Sequence, residues 1–234
     1  MTQLLCQALR RAVSHFVEED DRDRFSCQQI LQEDYNGKKI YCGPLNFNKE
    51  GFGKPGKSGE IIMSMIRSYV PKSRFYYPDY FDSGLKADEG FFLIDDAILT
   101  GHQMEEWINR YYQQLMLDKS STSALVVGLA HEDALQYLKE TLPNLRIFYG
   151  EIILSNSSLT ELCQNWVDKK IWPDDFRPPL EVFNEISINA NFQQPQHLGH
   201  LNQALLLAYS YSTPDNSIQI LRDISDNWTP LVSR

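Results

Sequence analysis

Asp95 and Asp96 are the side chains in this sequence best placed to do chemistry. The apolar run Phe91-Phe92-Leu93-Ile94 leads into them, and Ala97-Ile98-Leu99-Thr100-Gly101 leads out toward Met104, Trp107, Ile108, Tyr111 and Leu115 at helical spacing. The pattern predicts a buried strand, an acidic loop and a helix. Adjacent carboxylates at a strand's carboxyl end accept hydrogen bonds from vicinal hydroxyls or approach a hydrated Mg²⁺. The backbone amides of Ala97 to Gly101 and the Thr100 hydroxyl can meet a phosphate at the start of the helix. Sugar hydroxyls on one side and phosphate on the other describe a ribose 5-phosphate. The plainer alternative is a strand that ends in two solvated acids before an ordinary helix.

A second loop could also hold an anion. Gly51-Phe52-Gly53-Lys54-Pro55-Gly56-Lys57-Ser58-Gly59 precedes Ile61, Ile62, Met65, Ile66 and Tyr69, a helical pattern that Pro71 stops. Gly51 to Ser58 satisfies G-x-x-x-x-G-K-[ST], and Asp95 or Asp96 could stand for the acid that ends a Walker B strand. A P-loop leaves its strand directly, however, and Asn46, Asn48, Lys49 and Glu50 intervene here. Three readings stay open: a P-loop NTPase, a loop of structural Gly and Lys, and an anion loop in which Gly56, Lys57, Ser58 and Gly59 meet a pyrophosphate or nucleotide phosphate, with Lys54 as a weaker second cation.

The elements that would position these loops alternate. An amino-terminal stripe (Leu5, Leu9, Ala12, Val13, Phe16, Val17) predicts a helix, the charged run Glu18 to Arg24 a solvated turn, and Ser26 with Gln29 the cap of a second short helix. Asn36-Gly37 turns the chain into a strand at Ile40 to Cys42. Ala124 to Ala130, Glu132 to Leu142 and Arg146 to Leu154 read as strand, helix, strand. The expected fold class is α/β: a mostly parallel central sheet with helices on both faces, binding ligands beyond the carboxyl ends of the strands. Residues 1–45 form a helical cover and 155–200 an irregular elaboration, all within one domain spanning 1–234. The aromatics Trp166, Trp172 and Phe176 are expected to be core. His131 falls at a strand end, as a cap, a solvent-facing residue or a ligand contact. Ala204 to Tyr209 reads as a further buried strand delivering Thr213-Pro214-Asp215-Asn216-Ser217 to the same end of the sheet as Asp95. Asn216 there either caps the turn or touches ligand.

Composition bounds the function. The 234 residues are 42% apolar, enough for a sizeable core, and the formal charge of −9 argues against coating duplex DNA or RNA. Cys6, Cys27, Cys42 and Cys163 lack the spacing of a zinc site or a secreted disulfide framework. There is no run of membrane-spanning length and no signal-peptide core, so a reducing cytoplasm is the expected compartment and no membrane partner is expected.

In Asp95, Asp96, Thr100 and Gly101 the sequence resembles the type I phosphoribosyltransferases, whose motif for phosphoribosyl pyrophosphate is an apolar run, two acids, a variable stretch and Thr-Gly or Ser-Gly. Those enzymes continue with small residues and Thr; His102 and Gln103 stand here. The resemblance implies that Asp95 and Asp96 hold the ribose hydroxyls, and Mg²⁺ through water or ligand, while Ala97 to Gly101 wrap the 5-phosphate. With Gly56 to Gly59, Thr213 to Asn216 and the tail Trp228-Thr229-Pro230-Leu231, most of the chain looks like phosphoribosyltransferase-like effectors of bacterial conflict systems, some of them anti-phage and retron-associated. That likeness implies a nucleotide or phosphoribosyl pyrophosphate as ligand, and a protein partner encoded in a defence operon. The chemistry it implies is substitution at ribose C1 or cleavage of a nucleotide's glycosidic bond. The alternatives are a catalytically silent nucleotide sensor or partner-binding module, and the P-loop NTPase.

Overall fold

The fold comes from a computed structural model describing residues 1–22, 25–45, 58–81, 83–118, 121–210 and 212–230. The chain divides into two units, Met1–Ile153 and Leu154–Arg234.

The first unit is built on a sheet ordered β1-β2-β3-β4, with β1 at Lys39–Pro44, β2 at Glu89–Ile98, β3 at Thr122–His131 and β4 at Ile147–Ile153. Every neighbouring pair is parallel. All ten residues of β3 are buried, as a central strand covered on both faces requires. On one face Phe92, Ile94, Ala124 and Val126 pack against α1 (Thr2–Phe16), α2 (Cys27–Gln32) and the end of α3 (Ser58–Met65). On the other, Phe91, Leu93, Leu125 and Val127 pack against a helical stretch and α6 (Glu132–Thr141). That stretch runs as α4 (His102–Trp107), a π-helical segment at Ile108–Tyr112 and α5 (Gln113–Leu117). The sequence periodicities thus become two apolar layers around a parallel sheet, the expected fold class.

Local signals explain the entries to these elements. Ser26 Oγ accepts the Gln29 amide while the Ser26 amide donates to Gln29 Oε1, so both halves of the capping box form at α2. Asn36 and Gly37, at φ 50° and 76°, supply the left-handed turn before β1. Past β1, the Tyr76 amide donates to the Cys42 carbonyl at 3.0 Å, so this segment shields the strand's outer edge. Gly43 is needed there, since a Cβ would lie 1.9 Å from the Tyr76 carbonyl oxygen.

α1 lies close on the sheet. A Cβ on Gly128 would meet Met1 Sδ at 2.3 Å, and one on Gly150 would meet the Leu4 carbonyl oxygen at 2.3 Å. At its other end Phe16 sits against Phe92 and Phe148. The helix therefore runs against the strand direction, its amino end over the carboxyl halves of the strands.

In the second unit, α7 (Leu159–Asp168) and α8 (Pro179–Asn189) fall within the segment expected to be irregular, which is otherwise built of short turns. Its core gathers Leu159, Cys163, Phe183, Ala204 and Ile218. Two expectations fail here. Ala204 to Tyr209 is no strand: Leu201, Asn202 and Ala204 have φ of 52°, 57° and 49°, which breaks extended backbone, and only an isolated bridge joins Leu205 to Ser217. Leu206 is 48% exposed, so the run is not buried on both sides. The aromatics are not all core either. Trp166 packs on the apolar cluster and stacks with Trp172 at 6.1 Å, but Phe176 is 54% exposed.

Candidate functional site

Asp95 and Asp96 lie inside β2, not in a loop after it. The strand continues because β3 is longer than β1: the β1 ladder ends at Pro44 opposite Ile94, whereas β3 pairs onward through Asp95 with Val127, Ala97 with Leu129 and Ile98 with Ala130. The carboxylates therefore begin just past the last β2 residue that has a β1 partner. The connecting loop shrinks to Leu99, Thr100 and Gly101.

The pleat changes sense at the same place. Strict alternation would put Ile98 with Phe92 and Ile94, yet Ile98 packs with Phe91 and Leu93; in β3, Ala130 joins Leu125 and Val127 in the same way. Gly128 sits at the crossover, where a Cβ would lie 2.9 Å from the Asp96 carbonyl oxygen. Losing strict alternation lets two consecutive carboxyl groups interact instead of pointing to opposite faces. Asp95 Oδ1 accepts the Asp96 amide at 3.0 Å. Burial, then the Asp96 charge and a hydrogen bond to the Asp96 carboxyl, hold Asp95 well above the ordinary aspartate range. Asp96 is raised too, chiefly by burial, offset by hydrogen bonds from Asp95 and from its own and the Ala97 amides. Both carboxyls are thus held above the ordinary aspartate range by their burial and, for Asp95, by its neighbour's charge. Hydroxyl donors or a cation brought to the pair would favour its charged form.

Gly101 then turns the chain at φ 81° and ψ −22°, and its carbonyl accepts the Glu105 amide at 2.9 Å to start α4. Glycine is needed twice over: a Cβ would meet Tyr137 Cδ1 at 3.0 Å and Leu138 Cγ at 3.1 Å. Thr100 is half-buried beside it. His102 packs edge-on against the Tyr137 ring at 4.4 Å, and the Tyr137 hydroxyl donates to Glu105 at 3.3 Å. α6 is therefore the platform on which the loop rests. The spacing of Ala134 and Leu138 marked an inward helix face, but nothing in the sequence tied Tyr137 or Gly128 to the acidic pair.

His131 ends β3, one residue beyond the Ala130–Ile98 pairing. Its Nδ1 accepts the Asp133 amide at 3.3 Å, capping α6, and burial lowers its pKa against the opposing pull of Asp133 and Glu132. Of the roles open to it, the cap is the one this geometry shows. Gly56 and Lys57 lie outside the described residues; Ser58 and Gly59 open α3. The chain leaves β1 for this loop at Pro44, opposite Ile94 and so next to Asp95. Asn216 belongs to the second unit, where it is buried and its Nδ2 donates to Gln203 Oε1 at 2.8 Å. The strand that was to carry it toward Asp95 is absent, so the topological reason for joining the two falls away. Among the described residues no group of three or more His, Cys, Asp or Glu could hold a metal directly, and no helix is long and apolar enough to cross a membrane.

These features meet in one comparison. The model of the PRTase-CE family, a phosphoribosyltransferase-like family, matches residues 3–234. No curated protein matches the sequence. The chain belongs to the PRTase-CE family.

Proposed function

We propose that this phosphoribosyltransferase-like chain binds phosphoribosyl pyrophosphate or a nucleotide at the carboxyl end of β2, and acts on the ribose C1 bond as the effector of a bacterial conflict system. The observation that carries the binding step is the Asp95–Asp96 pair: two neighbouring carboxyl groups, one of them 7% exposed, at a strand end that has lost its neighbour on one side. Burying such a pair costs stability unless a ligand supplies donors, so its presence fits a site for ribose hydroxyls. Ala97 to Gly101 would receive the 5-phosphate, with the Gly101 turn setting the loop's direction. Gly56 to Gly59 would meet the pyrophosphate.

In the reaction, the bond from C1 to the leaving group breaks with its electron pair going to that group, and a nitrogen lone pair or water forms the new bond to C1. The positive charge that spreads over the sugar is stabilised by position and electrostatics, without a covalent nucleophile. Two adjacent acids, with no third in a metal-binding group among the described residues, suit Mg²⁺ held through ligand oxygens or water, where it would draw charge from a pyrophosphate leaving group.

The second reading, a nucleotide sensor without turnover, is favoured by the histidines: His102 rests on Tyr137 and His131 caps α6, so neither is poised as a general base. The P-loop reading is weakened because residues 45–50 separate β1 from Gly51. Calorimetric titration with phosphoribosyl pyrophosphate and Mg²⁺ tests the proposal. Binding should be measurable for the wild-type chain and lost in a folded Asp95→Asn/Asp96→Asn variant. Unchanged affinity would remove the carboxylates from the site.

A further inference from the structure

A cavity of about 350 Å³ opens between α1 and α2, and the reading above does not use it. It lies toward the carboxyl end of α1, which packs over Phe92 and Phe148, whereas the amino end reaches Gly128 beside Asp96. The cavity therefore opens toward the amino ends of the strands, away from the acidic pair. Arg10 and Ser14 line it from α1, one helical turn apart, and Arg22 lines it from the following turn.

Arg11, next to Arg10 in sequence, is committed to the sheet: its guanidinium donates to the Tyr149 and Gly150 carbonyls. Arg10 and Arg22 have no hydrogen-bond or carboxylate partner among the described residues. Arg10 nonetheless faces inward, for its charge acts on Cys27 and Tyr69, both of which line the cavity. Asp21, next to Arg22 in sequence, accepts the Tyr35 hydroxyl at 2.8 Å. Ser26 spends its Oγ and amide on the capping box. What remains is a recess with two uncommitted guanidinium groups, an apolar wall including Val17, and the rings of Phe25 and Tyr69.

We propose that this recess is a second ligand site, which takes a mononucleotide: the phosphate on Arg10 and Arg22, the base against Phe25 and Tyr69. Guanidinium forks match phosphate oxygens in pairs, the aromatic edge gives a flat partner to a base, and the volume is at the lower end of that of small-molecule pockets. The inference is independent of the carboxylate site. Its position at the other end of the sheet makes the ligand an effector and not the substrate.

Titration of the full chain with AMP, GMP, CMP, UMP and inorganic phosphate, each alone and without Mg²⁺, tests it. At least one nucleotide should bind saturably, more tightly than phosphate. Arg10→Gln/Arg22→Gln should weaken that binding by about tenfold or more, while Asp95→Asn/Asp96→Asn leaves it unchanged. Both arginines are exposed, so the variant should keep the wild-type melting profile, and the single Arg10→Gln variant gives a second reading with one charge removed. Four results would overturn the proposal: no saturable binding, binding indifferent to the arginines, phosphate binding as tightly as every nucleotide, or binding lost in the aspartate variant. The last would assign the nucleotide to the carboxylate site and leave that reading standing.

Discussion

Replacing Gly101 by Ala perturbs the loop that follows the acidic strand at a point where the cost separates into two parts. The residue sits at φ 81°, and an L side chain in the left-handed region costs about 1–2 kcal/mol. The added methyl would also stand 3.0 Å from Tyr137 Cδ1, 3.1 Å from Leu138 Cγ and 3.3 Å from the Ala134 carbonyl oxygen, so α6 must yield; overpacking of this kind costs about 1–3 kcal/mol. The expected loss is about 2–5 kcal/mol, or roughly 4–20 °C in the melting temperature of a unit this size. Gly37 is the internal control. Its φ is 76°, yet a Cβ there meets nothing within 4 Å, so Gly37→Ala should lose only the backbone part, about 1–2 kcal/mol. Chemical denaturation of both variants, followed by circular dichroism, measures the difference. Equal destabilisation would refute the claim that α6 is the platform holding the loop after β2 in place.

The remaining expectations concern the site's charges and the second unit. Burial and the Asp96 charge raise the Asp95 pKa in the folded chain above its usual 3.8, so above that value the folded state binds more protons than the unfolded chain, and wild-type stability should fall as pH rises. Asp95→Asn should flatten that slope in urea midpoints taken from about pH 4 to 7, and parallel slopes would contradict the assignment. Purified wild-type chain should release no orthophosphate from ATP or GTP, and a steady release abolished by Lys57→Ala would revive the P-loop reading. Asn216→Ala should cost about 1 kcal/mol by removing its hydrogen bond to Gln203 Oε1, read from denaturation. A drop in phosphoribosyl pyrophosphate affinity with stability intact would instead make Asn216 a ligand contact.

Why the acidic pair was legible in the sequence, and its setting was not, follows from what each signal encodes. Residue type announces chemistry: consecutive carboxyl groups after an apolar run are costly, and Thr-Gly behind them is a turn. The length of β2, by contrast, is decided by its neighbours. Ile94 is the last residue with a β1 partner, but β3 continues beside Asp95, Ala97 and Ile98, and nothing between Phe91 and Gly101 reports how long β3 will be. The stretch from Ala204 to Tyr209 fails for the complementary reason. Its apolar letters fit a strand, yet the positive φ of Leu201, Asn202 and Ala204 is fixed by the packing of the Gly199 to Leu205 segment onto Asp215 to Ile218, through the His200–Asp215, Leu205–Asn216 and Ile218–Leu205 hydrogen bonds. Gly128 joins both lessons. As a letter it is one small residue in a buried strand, but a side chain there would strike Met1 on one side and the Asp96 carbonyl on the other. α1 and the acidic strand can both approach β3 only because that position is bare, so Gly128→Ala should disturb the carboxylate pair from a residue that itself carries no polar side chain.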